Sequence, residues 1–309
     1  MFPRMSFVSY LLLTASSTLA TVISLYTDPA NNLFVNVEEG LGLHRIVLTG
    51  YSQTFRAHGD QPGRTEYVDL QVSFPTSHGQ PLFNVQMQDH EMVYTDDSYA
   101  ISTMGVGPGG FFQQTARSVS VIRFVNQTGE IILGLSVENF VQEHCVANSS
   151  LTMPFFQTGS FGAGLNRMSP FGTVQIEGSH REPSLVEINF SDTWTLLSLP
   201  YVMILDIYHV LGVVGPVEDH TQVRFSDCET IIEHLPVVDL AFSDNRDIMR
   251  TIGVLRLSPQ DYVRQLGNNI CELLVVSGPA WMVWFNPLLL PDVNIHTTED
   301  HMTICDILN

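Results

Sequence analysis

The chain contains no lysine: its thirteen basic residues are all arginine, against thirty-two aspartates and glutamates. The resulting formal charge of −19 at pH 7 would repel nucleic acid and anionic membrane surfaces, so neither is expected as a partner. The same acidity would serve general solubility or a protein that works at low pH, and the composition leaves these two explanations open.

Long apolar runs are also missing beyond the first twenty residues, so no membrane-spanning helix is expected. Residues 1–20 carry Arg4, an apolar run over 7–13 and small residues that end at Ala20. This is the pattern of a secretory signal peptide. We therefore expect the protein to be secreted or to lie in a vesicular or lysosomal lumen.

Only four cysteines are present, and no Cys or His pair has the spacing of a structural zinc site. No metal and no other cofactor is expected. In an exported protein, four cysteines favour disulfides. Cys145 and Cys305 could form one bridge or remain buried thiols. The eleven histidines are scattered, and each is interpreted as a surface or satisfied polar residue.

Signatures of other chemistries are absent from the sequence. The glycine-rich segment 105–110 contains Pro108 and is followed by no helical pattern, so it does not predict a phosphate-binding loop. Ser52 lacks the second glycine of a nucleophile elbow. Neither a nucleotide-binding protein nor a serine hydrolase is indicated.

Short alternating segments with turn residues between them predict an all-β protein, and helical periodicity is scarce. The predicted strands are 33–37, 44–48, 67–74, 82–87, 118–126 and 130–135. The best helical candidates are 137–145 and 201–211. Residues 21–32 are interpreted as a polar lead-in.

Between Asp192 and Cys271 the order of short motifs resembles the C-terminal lobe of pepsin-like aspartic peptidases, closest to cathepsin D. The motifs are Asp192-Thr193-Trp194-Thr195, Pro200, Tyr208 to Gly212, Cys228, Leu235-Pro236, Leu257-Ser258-Pro259-Gln260-Asp261-Tyr262 and Cys271. The resemblance implies a bilobal β fold with few short helices and a disulfide between Cys228 and Cys271. After the signal peptide at 1–20, it implies an N-terminal lobe with a flap at 21–165 and a C-terminal lobe at 166–309. Less sequence than usual separates Gly134 from Asp192, so the C-terminal lobe is expected to be truncated.

The N-terminal half resembles the same family with departures. Thr49, in Arg45-Ile46-Val47-Leu48-Thr49-Gly50-Tyr51-Ser52, stands where the family has its first catalytic Asp. Tyr94 matches the flap tyrosine, although both flap glycines are missing. Trp194 stands where the family has the glycine after Asp-Thr. The resemblance thus implies a site made of Asp192, Thr49 and Tyr94.

Two carboxylates that share a proton are the chemistry of an aspartic peptidase, and Thr49 cannot titrate near working pH. The leading hypothesis is a secreted, catalytically impaired protein that binds a peptide or protein partner in its inter-lobe cleft as a monomer. The alternative is an active aspartic-type endopeptidase, or a hydrolase on a small molecule, that uses Asp192. A damaged gene product is the third possibility. Asn126 and Asn148 lie in glycosylation sequons in polar loops and are expected to carry glycans.

Overall fold

The structure is a computed structural model. The residues that it describes are 20–27, 33–36, 45–49, 55–58, 64–76, 81–95, 102–105, 112, 116–124, 128–155, 157–158, 167–168, 171–179, 184–190, 195–213, 222–244, 250–278 and 282–308. Among these residues, no helix combines the length and the apolar character that crossing a membrane requires.

Strands dominate the described chain, as the alternating sequence predicted. In chain order they are β1 Thr21–Thr27, β2 Leu33–Asn36, β3 Arg45–Thr49, β4 Phe55–His58, β5 Thr65–Phe74, β6 Phe83–Thr95, β7 Ser102–Gly105, β8 Ser118–Arg123, β9 Thr128–Leu133, β10 Leu151–Pro154, β11 Gln157–Thr158, β12 Arg167–Met168, β13 Phe171–Ile176, β14 Ser184–Phe190, β15 Leu197–Pro200, β16 Arg224–Ser226, β17 Val238–Ser243, β18 Thr251–Leu257, β19 Val263–Gly267, β20 Ile270–Leu273, β21 Val275–Gly278, β22 Met282–Phe285, β23 Val293–Thr298 and β24 His301–Asp306.

The helices of the described residues are few and short. They are α1 Val137–His144, α2 Tyr201–Val210, α3 Cys228–Ile232, α4 Pro259–Tyr262 and a 3-10 helix at Pro287–Leu289. Helix α1 begins at Ser136, whose hydroxyl accepts a hydrogen bond from the Asn139 N–H at 3.2 Å. This side-chain cap satisfies one of the N–H groups that a helix start leaves unpaired.

Two large sheets carry the fold. The larger has twelve strands in the order β10-β24-β23-β8-β9-β1-β2-β3-β7-β4-β6-β5, and the smaller has seven in the order β18-β17-β13-β14-β22-β15-β21. A three-stranded sheet, β16-β20-β19, and the pair β11-β12 complete the described part. The smaller sheet belongs to the C-terminal half, which the sequence predicted to be shortened.

Strand β1 corrects the interpretation of residues 21–32 as a polar lead-in. It pairs with β9 and β2 inside the larger sheet. Its side chains alternate, with Ile23 and Leu25 fully packed into the core and their neighbours half-buried. This period of two is the signal of a strand with one buried face.

The last hairpin returns to the first half of the chain. Strand β23 pairs with β8, and β24 pairs with β10, both antiparallel. The larger sheet therefore combines strands from both ends of the sequence. The lobe boundary between residues 165 and 166 stays a prediction.

The larger sheet is covered on both faces near β8, whose six residues are all buried. Val119 and Val121 face the main core, while Ile122 faces a second apolar cluster with Phe140 of α1. The disulfide Cys145–Cys305 joins the residue after α1 to β24 within this second cluster. The pair that the sequence left open is thus bonded.

Candidate functional site

The first predicted site loop leaves the larger sheet at the end of β3. Strand β3 runs parallel to β7, with Thr49 opposite Gly105. After residues 50–54 the chain returns as β4, which pairs antiparallel with the same β7 through Arg56 and Thr103. One central strand is thus flanked by the strand that enters the loop and the strand that leaves it.

The second predicted site loop leaves the smaller sheet in the same way. Strand β14 runs parallel to β22, with Phe190 opposite Phe285. The chain returns as β15, which pairs antiparallel with β22 through Leu197 and Phe285. The strands that flank the two loops are therefore arranged in the same way in the two sheets.

Of the residues on which the chemistry of these two loops depends, the structure describes only some. Thr49 ends β3, whereas Asp192, Thr193 and Trp194 lie outside the described residues. The approach of Asp192 to Thr49 stays a prediction.

The strand β7, which lies beside Thr49, was missed by sequence reasoning, although Thr103-Met104-Gly105 after a polar segment is a usable strand signal.

The exit of the second loop is firmly held. Thr195 and Leu196 are buried, and the Leu196 N–H donates to the Leu274 carbonyl at 2.8 Å. In turn, the Asn286 N–H donates to the Leu196 carbonyl at 2.9 Å. Buried backbone groups that are paired in this way fix the direction in which the loop leaves the sheet.

Tyr94, predicted to be the flap tyrosine, lies in β6. This strand pairs antiparallel with β5 and parallel with β4, where Ala57 is opposite Tyr94. The segment that joins β5 to β6 is 75–82, so Tyr94 lies far along its strand from that connection. Its role at a site stays a prediction.

A disulfide joins Cys228 to Cys271, the pair that the resemblance implied, with a Cα–Cα distance of 5.7 Å. Beside it, Glu272 is 2% exposed and accepts from Arg224 Nε at 2.9 Å and from Arg264 at 2.5 Å. Burial acts to raise the pKa of Glu272, but the hydrogen bonds and charges of Arg264 and Arg224 together lower it. The carboxylate is therefore ionised inside the protein and structural in character.

The segment 257–262, which carried much of the resemblance, has a structural explanation. Ser258 and Asp261 form a capping box at the start of α4, in which the Ser258 N–H donates to the Asp261 carboxylate at 2.6 Å. The Tyr262 hydroxyl donates to the Pro236 carbonyl. These two motifs of the resemblance contact each other and stabilise the fold, so their presence carries no information about catalysis.

Of the two predicted glycan sites, Asn126 lies outside the described residues and Asn148 is exposed in a turn after α1. Asn148 has φ 64°, a left-handed conformation that asparagine tolerates better than most residues. Its exposure is compatible with a glycan, which stays a prediction.

Histidines hold a place in the structure that the sequence did not indicate. His296 is completely buried, with its Nδ1 2.8 Å from Ser120 Oγ and its ring stacked on Phe140 at 5.2 Å. The alternation of β23, Val-Asn-Ile-His-Thr-Thr, places His296 on the polar face of the strand, so no sequence signal marks it as buried. Within the described part of the chain, no group of three or more His, Cys, Asp or Glu side chains could hold a metal ion.

Comparison with known proteins gives fold neighbours alone. No family model matches the sequence, and no curated protein matches it. Among solved structures, basic 7S globulin from soybean is similar over 93% of this chain and 94% of its own, with a TM-score of 0.60 and 12% identity. Conglutin gamma, a basic 7S globulin from lupine seeds, is similar over 93% and 95%, with a TM-score of 0.56 and 11% identity.

These findings correct the sequence-based assignment. Membership in the pepsin-like aspartic peptidase family, close to cathepsin D, is wrong, because no family model supports it and the structural neighbours are seed globulins. The matched motifs reflected the fold, as the Tyr262 and Pro236 contact illustrates. The chain has the mostly β, bilobal fold of the basic 7S globulins, which is related to that of the pepsin-like aspartic proteases.

Proposed function

We propose that this chain is a catalytically impaired, exported protein that binds a peptide or a protein partner in a cleft between its two halves, 21–165 and 166–309. The observation that carries the proposal is the pair of equivalent strand arrangements, β3 with β7 and β14 with β22. Each arrangement delivers a loop from a rigid sheet, yet the first ends in Thr49 and only the second carries an acid, Asp192.

The loss of one acid removes the chemistry and leaves the scaffold. A shared-proton pair activates water because two close carboxylates cannot both ionise, and a threonine hydroxyl cannot replace one of them. General acid–base catalysis contributes about 10²–10⁴-fold to a rate, so half a dyad gives no useful proteolysis.

The two disulfides support the proposal that the protein is exported. Both disulfides, Cys145–Cys305 and Cys228–Cys271, belong to an oxidising compartment. The signal-like residues 1–20 and the sequons at Asn126 and Asn148 agree with passage through a secretory pathway. The compartment proposed is the exterior or a vesicular or lysosomal lumen.

The catalytic half of the proposal is tested with the purified chain and denatured globin, between about pH 3 and pH 6, where a shared-proton dyad operates. The purified chain should show no pepstatin-sensitive cleavage, and an Asp192→Ala variant should behave in the same way. A combined Thr49→Asp, Trp194→Gly variant should gain cleavage before either single change does. Robust pepstatin-sensitive turnover that Asp192→Ala abolishes would instead establish the active hydrolase.

The binding half is tested with peptides selected from a displayed library, whose Kd is then measured by calorimetry. Thr49→Arg should weaken binding at least about tenfold, which is about 1.4 kcal/mol. The matched control is Thr251→Arg, since Thr251 is exposed on β18. Equal affinity for the two variants would place the peptides elsewhere and reject the cleft.

A further inference from the structure

A cluster of titratable side chains lies beneath α1, on the face of the larger sheet opposite the main core. His296 lies at its centre, between Phe140 of α1 and Ser120 of β8. The His301 ring of β24 is 6.2 Å from the His296 ring, and the His144 ring is 6.4 Å from Phe140. Three imidazoles thus line the contact between α1 and the sheet.

This arrangement accepts a neutral His296 and disfavours a charged one. An imidazolium donates through both ring nitrogens, but within the described residues Nε2 of His296 is buried without a hydrogen-bond partner. Only Nδ1 has one, the Ser120 hydroxyl. A positive charge on His301 would lie close to His296. Protonation of His296 therefore costs free energy both from desolvation and from repulsion by His301.

We propose that α1 is an acid-sensitive cover: neutral imidazoles hold it on the sheet, and protonation of His296 and its neighbours releases it. The disulfide Cys145–Cys305 keeps the C-terminal end of α1 attached while the first turns move away. Opening exposes the apolar residues that Phe140 covers, Ile122 and Ile132.

The charged groups around the cluster set its pH range. Burial first, and then His301, lower the pKa of His296 to about 4, while Glu138 on α1 acts to raise it. Burial also lowers the pKa of His301, although Asp300 and Glu138 act to raise it. It lowers the pKa of His144 in the same way, although Glu143 and Glu130 act to raise it. Helix release restores His296 toward an ordinary value of about 6.5, so the open state binds more protons between about pH 6.5 and pH 4.

Hydrogen exchange of the amides of α1, corrected for the intrinsic rate at each pH, tests this proposal. Between pH 7 and pH 4 the opening equilibrium should rise on the order of 100-fold. In His296→Gln, which cannot titrate, most of that rise should disappear. In His209→Gln, the matched change at an exposed histidine of α2, the rise should persist.

Protection of α1 that does not change with pH in the natural sequence, or a rise that His296→Gln retains, would overturn the proposal. If His296→Gln does not fold, an NMR titration of the natural sequence decides instead. An apparent pKa of the His296 imidazole at or above its ordinary value contradicts the cover. A depressed pKa together with acid-induced binding of a hydrophobic dye supports it.

Discussion

Among the described acidic side chains that pair with arginine, Glu272 is the most deeply buried. Its side chain is 2% exposed and lies between Arg224 and Arg264. Removing one partner from a buried ion pair leaves uncompensated charge in the protein and typically costs about 3–5 kcal/mol. We expect Glu272→Gln to lower the free energy of unfolding toward the lower end of this range, because Arg224 remains largely in water.

The matched control for that prediction is Glu177→Gln, which breaks an exposed pair with Arg256 in which both side chains are more than 60% exposed. This change should cost less than about 1 kcal/mol. Urea unfolding at pH 7 gives both values. The folded-state pKa of Glu272 is lowered, so its contribution should be present above the unfolded pKa and decline as the pH falls below it. Equal losses in the two variants would contradict the account.

The cysteine pairs give a second prediction at the residue scale. Replacing both Cys228 and Cys271 with serine should destabilise the protein by about 4 kcal/mol on the chain-entropy model. Replacing Cys145 and Cys305 should cost somewhat more, because their sequence separation is 160 against 43. Denaturant unfolding without reductant compares the two, and a larger loss for the shorter loop would contradict the entropic explanation.

At the scale of elements, Gly278 of β21 lies directly against the buried Ser198 side chain of β15. A Cβ added to Gly278 would lie 1.9 Å from Ser198 Oγ, and both residues are buried. We expect Gly278→Ala to lower the unfolding free energy by about 1–3 kcal/mol, the usual cost of overpacking. Ser198→Ala in the same chain should recover part of the loss by removing the clashing hydroxyl.

Gly253→Ala on β18 is the matched control for Gly278→Ala. Its added Cβ would meet the end of the longer, half-buried Leu151 side chain, which has more freedom to rotate away than the fully buried Ser198 side chain. The loss of stability should therefore be smaller than for Gly278→Ala in the same thermal or urea unfolding measurement. A larger loss at Gly253 would show that β15 and β21 adapt more readily than their contact indicates.

Elements with a simple period were predictable from the sequence. The strand predicted at 33–37 is β2, that at 67–74 falls within β5, and the helix predicted at 137–145 is α1 with one residue fewer. Strand pairing was not predictable, because period and composition do not say which strands are neighbours. Only the structure shows that β23 and β24 return to pair with β8 and β10.

At the scale of the whole molecule, the sequence predicted the fold through motifs that stabilise it. The capping box of Ser258 and Asp261 and the contact between Tyr262 and Pro236 are needed by the fold whatever the protein does. They therefore led to the right architecture and to the wrong family. The cluster around His296 was not predictable, because its members come from α1, β8, β23 and β24, which are distant in sequence.

The central claim is that two equivalent loops face each other and only one of them carries an acid. An experimental structure that resolves residues 50–54 and 191–194 measures this directly through the distances from Asp192 to Thr49 and to the nearest other carboxylate. We expect Thr49 and Asp192 to face each other with no second Asp or Glu within about 4 Å of Asp192, since a working dyad places its carboxylates about 3 Å apart. A second carboxylate within hydrogen-bonding distance of Asp192, or loops on opposite faces of the molecule, would contradict the account.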